Sequence, residues 1–140
     1  MSVAAQIQAF FAGLPVNLAA SADASLLIAG SQPIYLDSAN PLGLSATFVG
    51  VTRDLGASPS AFHSFKAVFN ASHASATGGA KIQMSNDNLA FRDAATATLV
   101  ADAPMVLSVP VVARYYRVQL VNAGVAQTAL MINSAATRLS

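Results

Sequence analysis

His63 and His73, six aspartates and a dense run of arginines and tyrosines are the residues of this 140-residue chain best suited to chemistry. Two imidazoles and a carboxylate can hold a metal. His63 and His73 stand ten residues apart, with neither H-x-H nor H-x-x-x-H spacing. A Ser-His-Asp set can come from any chain order. No G-x-S-x-G turn is present to lift a serine above a sheet. Paired glycosidase carboxylates must face each other across a cleft. Asp54, Asp87, Asp93 and Asp102 all fall beside expected turns, where aspartate bonds its own backbone. "SNDN", Ser85 to Asn88, resembles half a calcium loop, but the bidentate glutamate is missing and the chain has no glutamate at all. "TGG", Thr77 to Gly79, lacks the lysine and helix of a phosphate loop. The expectation is no catalytic residue, no metal, no cofactor and no enzyme.

The densest polar stretch is "ARYYRVQLVNAG", Ala113 to Gly124, with two arginines and two tyrosines in four residues. Its period is two. Tyr116, Val118 and Leu120 fall on one face of a strand; Tyr115, Arg117 and Gln119 fall on the other. The inner Tyr116 must find a partner for its hydroxyl. The outer set reads as a solvated polar ladder, a protein interface or an aromatic ligand platform.

The elements around it are short strands. "FHSFKAVFN" puts Phe65, Ala67 and Phe69 on one face and Lys66 on the other. "ATGG" reads as a turn. "KIQMS" puts Ile82 and Met84 inside, and "NDN" turns the chain again. "TATLVA" and "MVLSVPVV" read as strands, and "VAQTALMINS" returns with Leu130 and Ile132 inside. The expected core is Phe65, Phe69, Ile82, Met84, Tyr116, Val118, Leu120, Leu130 and Ile132. Upstream, "SLLIAG" and "IYLDS" read as strands, and "LSATFVGVTRDLG" as a strand entering a turn. Turn signals every 8 to 12 residues indicate a sandwich or barrel. The expected fold is all-β: a jelly-roll-like antiparallel β-sandwich over residues 46–140. Residues 1–45 supply an N-terminal arm or extended section and the first strands.

Only 9% of residues are charged, against about 25% in an average globular domain. A small monomer needs a charged surface to stay unassociated. Much of this surface is therefore expected to be covered by other protein, in a homo-oligomer with a trimer as the expected state. Net charge is +1, with the basic residues spread along the chain, which gives no footprint for nucleic acid or anionic lipid. No cysteine is present, so disulfides and thiolate chemistry are excluded. The N-terminal stretch lacks a basic n-region, because the first cation is Arg53, and it reads as part of the mature protein. No apolar run reaches membrane-span length. Phe10, Phe11, Leu14, Leu26, Leu27 and Ile28 are the candidate apolar anchors of an interface in that section; Tyr115 and Arg117 are candidates in the sandwich.

"KIQMSNDNLAF", a strand pair and then "ARYYRVQLVNAGVAQTAL" resemble a module of bacteriophage structural proteins, over roughly Gly50 to Leu139. "GVTRDLG" is similar to its opening strand and turn. Leu89 and Phe91 replace the usual aromatic after the S-x-D turn, tryptophan is absent, and Ala123 separates Asn122 from Gly124. The resemblance implies a jelly-roll-like sandwich of a capsid decoration protein, head fibre or tail fibre. It further implies location on the virion capsid surface after synthesis in the host cytoplasm, with the major capsid protein or another virion protein as partner. The chain starts at Met1 and has no repetitive shaft, which favours a decoration (cement) protein. The alternative is a fibre module that recognises host surface glycans.

Overall fold

The structure, a computed structural model, describes residues 34–138. Nine strands follow in order: β1 (Tyr35–Ser38), β2 (Thr47–Val49), β3 (Arg53–Asp54), β4 (Phe62–Ala71), β5 (Ser75–Ser85), β6 (Arg92–Ala97), β7 (Met105–Pro110), β8 (Tyr115–Asn122) and β9 (Leu130–Arg138). One 3-10 turn, Pro59–Ala61, leads into β4. No helix among the described residues is long and apolar enough to cross a membrane.

The strands form two antiparallel sheets. The first has the order β1-β9-β4-β7. The second has the order β2-β8-β5-β6, and β3 also pairs with β8. Alternation of apolar residues along β4 and β8 explains the arrangement. Phe65, Ala67 and Phe69 of β4 are fully buried from one side, and Tyr116, Val118 and Leu120 of β8 from the other. The rings of Phe65 and Tyr116 stack across the gap, with centroids 5.1 Å apart and planes at 19°. Ile82, Leu130 and Ile132 complete the same core. Each such side chain contributes about 1.5–3 kcal/mol by leaving water. The all-β antiparallel sandwich expected from the alternating pattern is the observed architecture.

Local differences have local causes. Met84 is only partly buried, at the margin of the core. "ATGG" is not a turn but lies inside β5. Five steps along β5, Ser75 to Ala80, oppose two steps along β8, Asn122 to Leu120. The surplus residues form a bulge, with Gly78 at φ +63° and its N–H donating to Thr98 Oγ1 at 2.8 Å. At Gly79, a Cβ would stand 2.4 Å from the Val121 carbonyl oxygen. These glycines permit bulging and close backbone approach rather than chain reversal. β6 begins at Arg92, ahead of the expected "TATLVA", because Asp93 and Ala95 already pair with β5. β9 begins only at Leu130, because the residues before it are held in a loop described below. "SLLIAG" lies outside the described residues.

At one edge, β1 of the first sheet meets β3 of the second. Arg53 donates from Nη2 to Asp37 Oδ1 at 2.7 Å, and the Asp37 side chain is 1% exposed. The guanidinium also lies 4.1 Å from the centroid of the Tyr35 ring. Asp37 Oδ2 and Arg53 Nε are buried without a hydrogen-bond partner.

Candidate functional site

The opening residues of β8 divide as the period of two requires. Tyr116 faces inward, and its hydroxyl is occupied. The oxygen accepts from the backbone N–H groups of Val112 at 2.8 Å and Ala113 at 3.1 Å. The ring thus fills the core while its tip holds the β7–β8 connection.

The outward residues build a polar surface across three strands. Arg117, Gln83 and Asp93 share one row, set by the pairing of β8 with β5 and of β5 with β6. Arg117 donates from Nε to Gln83 Oε1 at 2.9 Å, and its guanidinium lies 3.8 Å from the Phe91 ring centroid. Gln83 donates from Nε2 to Asp93 Oδ1 at 2.8 Å, and Lys81 donates to Asp93 Oδ2 at 2.8 Å. The lysine's hydrogen bond, then that of the glutamine amide, lowers the Asp93 pKa. Gln83 is 8% exposed despite pointing outward, because these neighbours cover it. Beside this row, Arg114 grips Asp54 with Nε and Nη2 at 2.8 and 3.0 Å. Its guanidinium lies 5.1 Å from the Tyr115 ring centroid. That grip, then the Gly56 N–H, lowers the Asp54 pKa, and the same bond to Asp54 raises the Arg114 pKa.

The motif residues that close the module are structural. Asn122 and Gln127 are 2% and 4% exposed. Asn122 Nδ2 donates to the carbonyls of Leu42, Gly43 and Val125 at 3.2, 2.8 and 2.9 Å. Gln127 Oε1 accepts from the His73 N–H at 2.8 Å and from Ser72 Oγ at 3.1 Å. Ser72 Oγ in turn accepts from the backbone N–H groups of Thr128 and Ala129 at 2.8 and 3.1 Å. His73 Nδ1 also lies 3.1 Å from Ser72 Oγ. This serine-histidine contact belongs to a loop clamp that ties three chain segments together.

Of the aspartates expected beside turns, Asp87 bonds locally and Asp54 accepts from the Gly56 N–H as well as from Arg114, whereas Asp93 lies within β6 and bonds across strands to Lys81 and Gln83. Asp87 Oδ1 accepts from the N–H groups of Leu89 and Ala90, both at 2.9 Å, and from Ser85 Oγ at 2.8 Å. The Ala90 and Leu89 N–H groups, then the Ser85 hydroxyl, pull its pKa down to about 2. "SNDN" is therefore a hydrogen-bonded turn whose carboxylate is already occupied. No group of three His, Cys, Asp or Glu among the described residues could hold a metal.

Of the candidate interface residues, Tyr115 and Arg117 lie on the outer face of the second sheet, both half-buried. Phe10, Phe11, Leu14, Leu26, Leu27 and Ile28 lie outside the described residues. The Asp37–Arg53 pair was missed by sequence reasoning, because its partners are sixteen residues apart on strands of different sheets. The Gln83–Arg117 link was missed likewise, since a glutamine in a strand carries no signal of its own.

Among solved structures, PBSX exported protein XepA matches with a TM-score of 0.69 at 16% identity, over 77% of this chain and 38% of that one. The chain thus spans well under half of XepA, and the likeness is one of fold. A second structure, described as Bacillus endospore appendages that form a novel family of disulfide-linked pili, matches with a TM-score of 0.43 at 12% identity, over 79% of this chain and 93% of that one. No curated protein sequence matches. The family described as "Uncharacterised protein YqxG N-terminal domain" matches residues 21–137, most of the chain. The chain belongs to the YqxG N-terminal domain family.

Proposed function

We propose that this protein is a non-enzymatic structural component of a bacteriophage particle: a capsid decoration (cement) protein that binds the assembled shell as a homo-oligomer, with a trimer as the expected state. The strand order supports the jelly-roll-like part of this reading. With β2 and β3 taken as one interrupted strand, eight strands wrap between two four-stranded layers. The fold is shared with an exported protein of phage PBSX, which supports a phage-related context.

One observation carries the oligomer. The outer face of the first sheet exposes Leu36, Val68, Val106 and Met131, and Lys66 is the one charge among its described outward positions. An apolar sheet face of this kind on a chain with few charges favours association with a second copy. We assign shell attachment to the N-terminal section, which has no lysine or arginine, since the first cation of the chain is Arg53. Association through apolar packing should be only weakly sensitive to salt, and many copies on a lattice gain through effective concentration.

Light scattering tests the oligomer: a clean monomer at micromolar concentration overturns it, and Val68→Glu with Val106→Glu should dissociate it. Co-sedimentation with bare shells at low and high salt tests attachment. The full chain should bind at both, and a chain without residues 1–30 should not. Unchanged binding by the truncated chain removes the arm from the reading.

A second reading, recognition of host surface glycans by the outer face of the second sheet, is favoured by the fixed and unneutralised Arg117.

A further inference from the structure

We propose that Arg117 anchors a carboxylate-binding site on the outer face of the second sheet, and that its ligand is an acidic sugar such as a uronate unit of a surface polysaccharide. The inference deepens the glycan reading and is independent of capsid attachment.

Arg117 is held from two directions. Gln83 Oε1 accepts from the Nε–H at 2.9 Å, and the guanidinium carbon lies over the Phe91 ring, 3.8 Å from its centroid. The rotamer entropy that a free arginine would lose on binding is thus already spent. Among the described residues, neither terminal nitrogen has a hydrogen-bond partner and no ion pair joins Arg117 to a carboxylate. What remains is a fixed pair of donors with the spacing of a carboxylate.

The nearest acid in the row does not neutralise it. Asp93 gives one oxygen to Lys81 and the other to Gln83. Gln83 stands between acid and base, with its carbonyl toward the guanidinium and its amide toward the carboxylate. A flipped amide would set donor against donor and acceptor against acceptor, so the orientation is fixed. The glutamine separates Arg117 from Asp93 and leaves the arginine's charge available.

The surroundings select the ligand. Tyr115 and Gln119 flank Arg117 on the same face of β8, and Lys81 pairs with Gln119 across the strands. A protein hot spot is normally ringed by groups that exclude water. Here the neighbours carry a phenol, amides and an ammonium, which suit a ligand rich in hydroxyl groups. A carboxylate and several hydroxyls in one compact unit describe an acidic sugar.

The test titrates the full chain with tetragalacturonate, a neutral galactose tetramer and tetraglutamate, followed by calorimetry and amide chemical shifts. Tetragalacturonate should bind and shift the amides of residues 115–119 and Gln83. Arg117→Lys keeps the charge but loses the fork and the ring contact, and should weaken binding by about tenfold or more. Phe91→Leu frees the guanidinium without touching charge and should weaken it by about threefold. Thermal melts check that both variants fold, and the wild-type shift map stands if either does not. Binding that is absent, equal for the neutral tetramer, unchanged in a folded Arg117→Lys variant or mapped elsewhere overturns the proposal. Tighter binding of tetraglutamate also overturns it, in favour of an acidic protein partner. A chain without residues 1–30 should lose shell co-sedimentation yet keep tetragalacturonate binding, so the two readings fail separately.

Discussion

Gln127 Nε2 donates to Asn122 Oδ1 at 2.8 Å, a buried bond between the two amides that fix the loop between β8 and β9. Each amide also holds backbone from a different segment, so neither can be lost alone. Asn122→Ala would leave the Gly43 and Val125 carbonyls without their donor. The expected destabilisation is about 2–4 kcal/mol, read by urea denaturation. Asn122→Asp keeps the shape but turns an acceptor toward three carbonyls, and should cost more than alanine. If both variants melt like the wild type, the clamp carries no stability.

Tyr116 and Tyr115 should separate cleanly. Tyr116→Ala removes a fully buried ring and should cost about 3–5 kcal/mol. Tyr115→Ala should cost much less within the subunit. Tyr116→Phe keeps the stack on Phe65 but strands the Val112 and Ala113 N–H groups, for about 1–3 kcal/mol. A Tyr115 variant less stable than the Tyr116 variant would contradict the face assignment.

The Asp37–Arg53 pair predicts a non-additive result. Arg53→Met leaves a carboxylate that is 1% exposed without its cation, and should destabilise by about 3–5 kcal/mol. Asp37→Leu combined with Arg53→Met removes both charges and the two unpartnered atoms. The double variant should recover most of the loss. Equal damage from single and double variants would show that the pair is not coupled.

Asp87 predicts a pH window. Its folded pKa is depressed to about 2 from the ordinary 3.8. A depressed carboxylate contributes stability that is present above the unfolded value and lost as pH falls through the folded one. The melting-temperature gap between wild type and Asp87→Asn should therefore be full above about pH 4 and close toward pH 2. A carboxyl resonance titrating near 3.8 would contradict this turn.

What the sequence disclosed follows a physical division. Strict alternation in "FHSFKAVFN" and "RYYRVQLVN" exposes the burial plan, because a strand has only two faces, and one apolar face fixes the register. Gly78 and Gly79 misled because a bulge and a turn both need a residue without a Cβ; only pairing with β8 distinguishes them. The outer-face chemistry was half legible. Arg117 stood out by type, while its supports Gln83 and Phe91 come from distant chain positions and are brought alongside by strand order alone. Asn122 and Gln127 were visible as parts of a resemblance, but their buried bonds emerge only in three dimensions.

β1 pairs antiparallel with β9, Tyr35 opposite Ser134 and Ser38 opposite Ile132. The chain therefore enters β1 on the side of the sandwich from which β9 departs. Tension applied between those two ends would load the β1–β9 hydrogen bonds one after another, as a zipper is opened, instead of all at once in shear. The first backbone bonds would yield at low force. The Arg53 clasp on Asp37 would then act as a stop, tying the peeling strand to the opposite sheet. A tether joined upstream of β1 would therefore give a little before it held.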